Sequence, residues 1–134
     1  MTRVEPVLAL AAVIDTFLGA FEHGDLEGLR ELLDDSFVGR VTSADGGTVE
    51  LTADQYVASI AAMDVPTAEL QLSVPDMTPV GEDGVLVMIE IRAARGGRTL
   101  HNFSGQLARV RDGRIFELSM VDALPSESDR FWST

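Results

Sequence analysis

Asp112-Gly113 stands between two strand-like segments, residues 99–111 and 114–124. An Asp-Gly pair so flanked is the strongest local signal for a two-residue hairpin, because both positions accept positive φ. A loop of fixed length also fixes register. Leu107 then faces Leu118, Gly105 faces Met120, Phe103 faces Asp122 and His101 faces Leu124. One side of the hairpin carries His101, Phe103, Leu107, Phe116, Leu118, Met120, Asp122 and Leu124. The other carries Asn102, Ser104, Gln106, Glu117 and Ser119. The first side is the apolar one and is expected to be buried. Asp122 and His101 are its anomalies, diagonal neighbours roughly 6–8 Å apart and within side-chain reach. A carboxylate on an apolar face is costly unless paired or hydrogen-bonded, so the two are expected to meet.

The Gly96-Gly97 turn, read as a second two-residue loop, adds Leu86, Met88, Glu90 and Arg92 to that side. A three-residue loop would invert the strand and turn Val87 and Ile89 inward. The run Val85, Val87, Ile89, Ile91 is compatible with that inversion, or with a strand covered on both faces by a partner subunit. Upstream the pattern is helical. Pro6 suits a first turn, and Val7, Leu10, Ile14, Phe17, Leu18 and Phe21 recur at helical spacing up to Gly24. Asp25 is a fitting N-cap for a second helix through Leu26, Leu29, Leu32 and Leu33. Residues 37–42 form an expected strand, with a turn at Asp45-Gly46-Gly47. Thr52 and Gln55 make a capping box for a third helix through Tyr56, Ile60 and Met63, ended by Pro66. Residues 68–74 and 85–94 then read as strands. Three helices followed by long antiparallel strands predict an α+β fold, with helices covering one face of a curved sheet.

The 134 residues are expected to form a single domain over 1–134, with 46% apolar content, enough for a core. Ten basic against 22 acidic side chains give a formal charge of −12, which disfavours nucleic acid as a partner. The absence of cysteine excludes disulfides, thiolate chemistry and Cys-ligated metal. Glu5, Pro6 and Asp15 interrupt the apolar opening, which argues against a signal peptide or membrane segment and for a cytoplasmic protein.

The ordered set Phe21-Glu22-His23-Gly24-Asp25-Leu26-Glu27-Gly28-Leu29, Leu33-Asp34-Asp35, Gly97-Arg98-Thr99-Leu100-His101-Asn102 and Val110-Arg111-Asp112-Gly113-Arg114-Ile115, closed by Asp122, resembles the nuclear transport factor 2-like superfamily in its SnoaL-like and ketosteroid-isomerase-like branch. The resemblance implies a cone-shaped barrel, a strongly curved antiparallel sheet packed on three N-terminal helices around a pocket, and a homodimer. It does not fix chemistry. The ketosteroid isomerase tyrosine falls on Phe17, its base on Val41 and its second aspartate on Gly105, none of which can move a proton. The arginine–aspartate pair of limonene-epoxide-hydrolase-like proteins falls near Ile91 and Ala93. SnoaL-like cyclases match better, with an aspartate where Asp122 stands and a histidine on a neighbouring strand.

The site expected on these grounds has Asp122 as acid or base and His101 as its proton shuttle. Phe17, Phe21, Val41, Tyr56, Met88, Glu90, Phe103, Gly105, Met120 and Trp132 would line the pocket, with no metal and no cofactor. Asp34-Asp35 reads as a solvated pair ending a helix, and His23 as a helix C-terminal dipole partner. Three functions stay open: a cofactor-free cyclase, isomerase or dehydratase acting on an apolar carbonyl compound; a non-catalytic carrier of a hydrophobic small molecule; or a dimeric interaction scaffold. Asp122 has its own structural alternative, a strand-end carboxylate capping a backbone amide or pairing with an arginine.

Overall fold

The computed structural model describes residues 4–133. Helix α1 (Val4–His23) is followed by α2 (Leu26–Leu32), β1 (Leu33–Thr42), β2 (Thr48–Thr52), α3 (Ala53–Met63) and a one-turn 3-10 helix, Val65–Thr67. The second half is β3 (Gln71–Val80), β4 (Gly84–Arg95), β5 (Arg98–Arg111), β6 (Arg114–Asp122) and α4 (Pro125–Trp132). The fold is α+β, as expected from the succession of helical and strand periodicities.

Local chemistry sets the helix boundaries. The Asp25 side chain accepts from Gly28 N at 3.0 Å and starts α2. Thr52 and Gln55 satisfy each other's backbone N–H groups at 2.9 and 3.2 Å, so the capping box forms. Gly24 ends α1 at φ +68°, and a Cβ there would sit 3.0 Å from the Pro66 ring, so glycine is required twice over. Val7 lies among the residues whose side chains fall outside the description.

The six strands run in the order β2-β1-β6-β5-β4-β3. The sheet is mixed rather than purely antiparallel: β1 lies parallel to β6, and the remaining neighbours are antiparallel. It is also open, with β2 and β3 as its edges, and among the described residues a C-terminal helix joins the three expected N-terminal ones. The fourth, α4, is short, carries only Phe131 and Trp132 as large apolar side chains, and begins at Pro125, so its proline start is its clearest mark in the sequence. Asp34 and Asp35 open β1 instead of closing a helix. Asp34 accepts from the Ser36 N–H and hydroxyl, and Asp35 from Arg30. Pro75 and Pro79 are tolerated in β3 because it is an edge strand.

Both hairpin turns have the expected two-residue geometry, with Arg95 opposite Arg98 and Arg111 opposite Arg114. The predicted register nevertheless fails along β5 and β6. Val110 faces Ile115, but Arg109 faces Glu117, so Phe116 is an extra residue on β6, a β-bulge. Past that point Ser104 faces Asp122, Gln106 faces Met120 and Ala108 faces Leu118. Strand β6 therefore presents Leu118, Met120 and Asp122 to the helices as expected, whereas β5 presents Leu100, Asn102, Ser104, Ala108 and Val110. His101, Phe103, Gly105 and Leu107 turn to the outer face. Inversion carries through to β4, where Val85, Val87, Ile89 and Ala93 are buried and Leu86, Met88, Glu90 and Arg92 point outward. The inward facing of Val87 and Ile89 arises from the Phe116 bulge, not from a longer loop at Gly96-Gly97.

Helix α1 (through Ile14, Phe17 and Leu18), α3 (through Tyr56 and Ile60) and the inner sheet face share one apolar core.

Candidate functional site

Between the inner sheet face, α1, α3 and α4 lies a cavity of about 360 Å³. Its walls are mostly apolar because the contributing elements each turn their buried face to it. Phe17 and Phe21 come from α1, Tyr56 and Ile60 from α3, Ile89 and Ile91 from β4. Phe17 stacks on Tyr56 at 6.3 Å between ring centres, and Tyr56 packs on Phe37 at 5.4 Å, giving a rigid aromatic side to the hollow. Helix α4 closes the space with Pro125, Ser128, Asp129 and Trp132. Two arginines hold that helix. Arg95 donates to Trp132 O at 3.2 Å and to Met63 O at 2.8 Å, and Arg98 donates to Phe131 O and Arg130 O, each at 3.2 Å. Both guanidinium groups also lie over the Phe131 ring.

Asp122 lines the cavity at the end of β6. Its Oδ1 accepts from the Asn102 amide at 2.6 Å and from Leu124 N at 2.9 Å. Asn102 is fully buried, and its own Oδ1 accepts from Phe103 N at 2.8 Å, which fixes which amide atom faces Asp122. The Thr42 hydroxyl accepts from Asp122 N and donates to Met120 O, both at 3.1 Å, tying this strand end to β1. Among the described residues nothing donates to Oδ2. The capping and chemical readings of Asp122 are therefore compatible: one oxygen caps Leu124, the other is spare. An oxygen that already accepts two N–H donors has no room for a proton, so a proton taken up here goes to Oδ2.

Tyr56 brings a further polar group to the cavity, a hydroxyl with no hydrogen-bond partner among the described residues. Burial pushes its phenol well above the ordinary tyrosine range, so the hydroxyl remains a neutral donor. Ser104 and Gln106 add a weaker polar strip, with Gln106 Nε2 donating to Ser104 Oγ at 3.3 Å.

Of the expected site residues, Phe17, Phe21, Val41, Tyr56, Met120, Trp132 and Asp122 line this one cavity. His101, Met88, Glu90, Phe103 and Gly105 do not. Because of the bulge at Phe116 they lie on the opposite face, and the expected Asp122–His101 contact does not form. The His101 side chain is 47% exposed, and its Nε2 lies 2.7 Å from Glu90 Oε2. That hydrogen bond, helped by Arg92, holds the Glu90 carboxyl below its ordinary range. Asn102 stands beside Asp122 in place of His101, on the face opposite to the one expected for it. The signal that could have found it is the odd-numbered alternation Val85, Val87, Ile89, Ile91. Across a two-residue turn at Gly96-Gly97, odd residues on β4 oppose even ones on β5, which demands Asn102 and Ser104 inside. A second signal is Ile115 and Leu118, both buried but three apart, a spacing no regular strand can satisfy.

A sequence profile described as the SnoaL-like domain matches residues 14–118. The chain belongs to the SnoaL-like domain family. No curated protein matches its sequence. Among solved structures, Bal32a from a soil-derived mobile gene cassette superposes with a TM-score of 0.77 at 18% identity, covering 96% of this chain and 99% of that one. IdmH from Streptomyces antibioticus, a candidate polyketide cyclase, gives 0.72 at 22% identity over 85% of this chain and 91% of its own. A limonene-epoxide-hydrolase-like epoxide hydrolase from M. tuberculosis gives 0.73 at 14% identity over 87% and 84%. At these identities the likeness is one of fold, the nuclear transport factor 2-like architecture. Among the described residues of this SnoaL-like protein, no helix is long and apolar enough to cross a membrane.

Proposed function

We propose that this SnoaL-like protein binds an apolar small molecule in its cavity and moves a proton on it without a cofactor, with Asp122 as the base. The observation that carries the proposal is the pairing of a largely apolar hollow with a carboxylate whose Oδ2 is uncommitted. Deprotonation beside a carbonyl group needs a base, a donor for the developing oxyanion and exclusion of water. Asp122 supplies the first, the Tyr56 hydroxyl is suited to the second, and Trp132 with α4 suits the third. Asn102 positions the base. His101 has no part in this reading, since it faces Glu90 on the other side of the sheet.

Hydrogen–deuterium exchange at the carbon beside the carbonyl of 2-tetralone, followed by NMR in deuterated water, tests the proposal without knowledge of the natural substrate. The protein should speed exchange by about 10²–10⁴-fold and Asp122→Asn should abolish the gain. If 2-tetralone binds in the cavity and exchanges no faster than in buffer, the carrier reading replaces the catalytic one. One observation favours that second reading: Asp122 has no titratable neighbour within hydrogen-bonding distance among the described residues, so a relay is lacking.

We also propose a homodimer formed through the outer sheet face. Leu86, Met88 and Phe103 on β4 and β5 adjoin Val121 on β6, which is 69% exposed. The same face carries Glu90 beside Arg92, and a two-fold axis sets such a mixed patch against itself with opposite charges in register. Light scattering should return twice the mass of the chain, and Val121→Glu should return the single mass. A monomeric wild-type protein at high concentration would refute the dimer.

A further inference from the structure

We infer that the cavity selects its ligand by charge: it prefers an apolar molecule ending in a protonated amine and rejects the same molecule ending in a carboxylate. The inference rests on the proposal that the cavity is a small-molecule pocket and names the ligand class. It holds whether or not Asp122 transfers a proton.

The charge lies on one side only. Among the described residues lining the cavity, Asp122 and Asp129 are the only ones with side chains charged near neutral pH, and both are acidic. Tyr56 is held neutral by burial. Lysine occurs nowhere in the chain, so cations can come only from arginine and histidine. Several of these are engaged elsewhere in the fold. Arg40 pairs with Glu50 and Glu117, and Arg109 with Asp83. Arg95 and Arg98 grip the carbonyl groups of α4, and His101 holds Glu90 on the outer face. Asp122 thus makes no ion pair among the described residues, and its charge meets only the two N–H groups on Oδ1.

A ligand head placed against Oδ2 meets that charge in a largely apolar setting. A carboxylate held about 5 Å away, in surroundings of intermediate dielectric, would bind on the order of a hundred-fold more weakly than a neutral group. A protonated amine donates to Oδ2 and supplies the missing counter-charge, a stronger contact than a hydroxyl can make. Asp129, exposed on α4 at the mouth, acts in the same direction but is screened by salt.

The experiment is calorimetric titration of the full chain with three molecules sharing one bicyclic ring: 2-(1-naphthyl)ethylamine, 2-(1-naphthyl)ethanol and 1-naphthylacetate. The amine should bind about ten-fold tighter than the alcohol, and the acetate about a hundred-fold weaker than the alcohol. Asp122→Asn should bring all three to similar affinity, with the acetate gaining most; its amide oxygen can still face Asn102 and Leu124, so the fold is retained. Asp129→Asn should shift the order slightly, and added salt should erase that shift. Acetate binding as tightly as the alcohol overturns the inference, as does a charge order that persists in Asp122→Asn. The wild-type order is itself a test that needs no variant. Failure of all three molecules to bind would instead remove the pocket reading, and the inference with it.

Discussion

The two faces of the sheet each carry an acid held by a nitrogen donor, and the pairs differ mainly in their surroundings. On the inner face Asn102 donates to Asp122 at 2.6 Å, and on the outer face His101 meets Glu90 at 2.7 Å. The first pair sits between a fully buried amide and a cavity wall, while the second stands in water with Arg92 and Ser73 around it. Distance alone would rank them equal. Burial does not, because an unmade contact inside leaves a polar group with no water to replace its partner, whereas outside the solvent fills the gap.

The largest expected break in this contrast is deletion of Ser119. Beyond the deletion every side chain of β6 changes face, so Met120 and Asp122 leave the interior and Val121 enters it. Loss of a cooperative unfolding transition and of dispersed amide NMR signals is expected. Deletion of Phe116 instead leaves Val110–Ile115 and Arg109–Glu117 as successive pairs of a regular ladder and should keep the facing of both strands. A stable Ser119-deletion variant with native spectra would show that strand facing does not set the inner side.

Next comes Asn102→Leu, which strips Asp122 of a buried donor and leaves the Phe103 N–H without its acceptor. A loss of about 3 kcal/mol in urea unfolding is expected. His101→Ala should move the urea midpoint far less. Comparable losses for the two would erase the distinction drawn between the faces.

Tyr56→Phe sharpens the inner side. The hydroxyl has no protein partner among the described residues, so the variant should stay within about 1 kcal/mol of wild type while losing any contact the hydroxyl makes to a ligand. Tyr56 is the chain's only tyrosine, so absorbance at alkaline pH reads it cleanly. Its folded-state pKa is raised, so the folded chain holds the proton more tightly. Stability therefore falls as pH rises past the ordinary phenol value of about 10, and phenolate should appear only with unfolding.

The smallest effect lies outside. Glu90 is depressed by His101 and Arg92, so its contribution to stability is present above the unfolded carboxylate value and fades as pH falls through the folded one. In His101→Ala the NMR titration midpoint of the Glu90 carboxyl should move up. No movement would mean that Arg92 alone holds it.

What the sequence by itself determined were the features encoded within a few residues of one another. The Asp25 cap, the Thr52–Gln55 box, the stop at Gly24 and both two-residue turns depend on local hydrogen bonds and on which φ values a side chain permits. Six of the ten expected lining residues, and Asp122, also lie on one cavity; helical spacing selects Phe17, Phe21 and Tyr56 among them without reference to distant pairing. The facing of β5, the exchange of His101 for Asn102 beside Asp122, the parallel β1–β6 contact and the closure by α4 were decided only in the tertiary structure. Strand facing has a period of two, so one extra residue at Phe116 reverses every side chain beyond it on one strand relative to the other. Whether that residue bulges depends on burying Ile115 and Leu118 together against helices far away in the chain, a balance that no local rule contains.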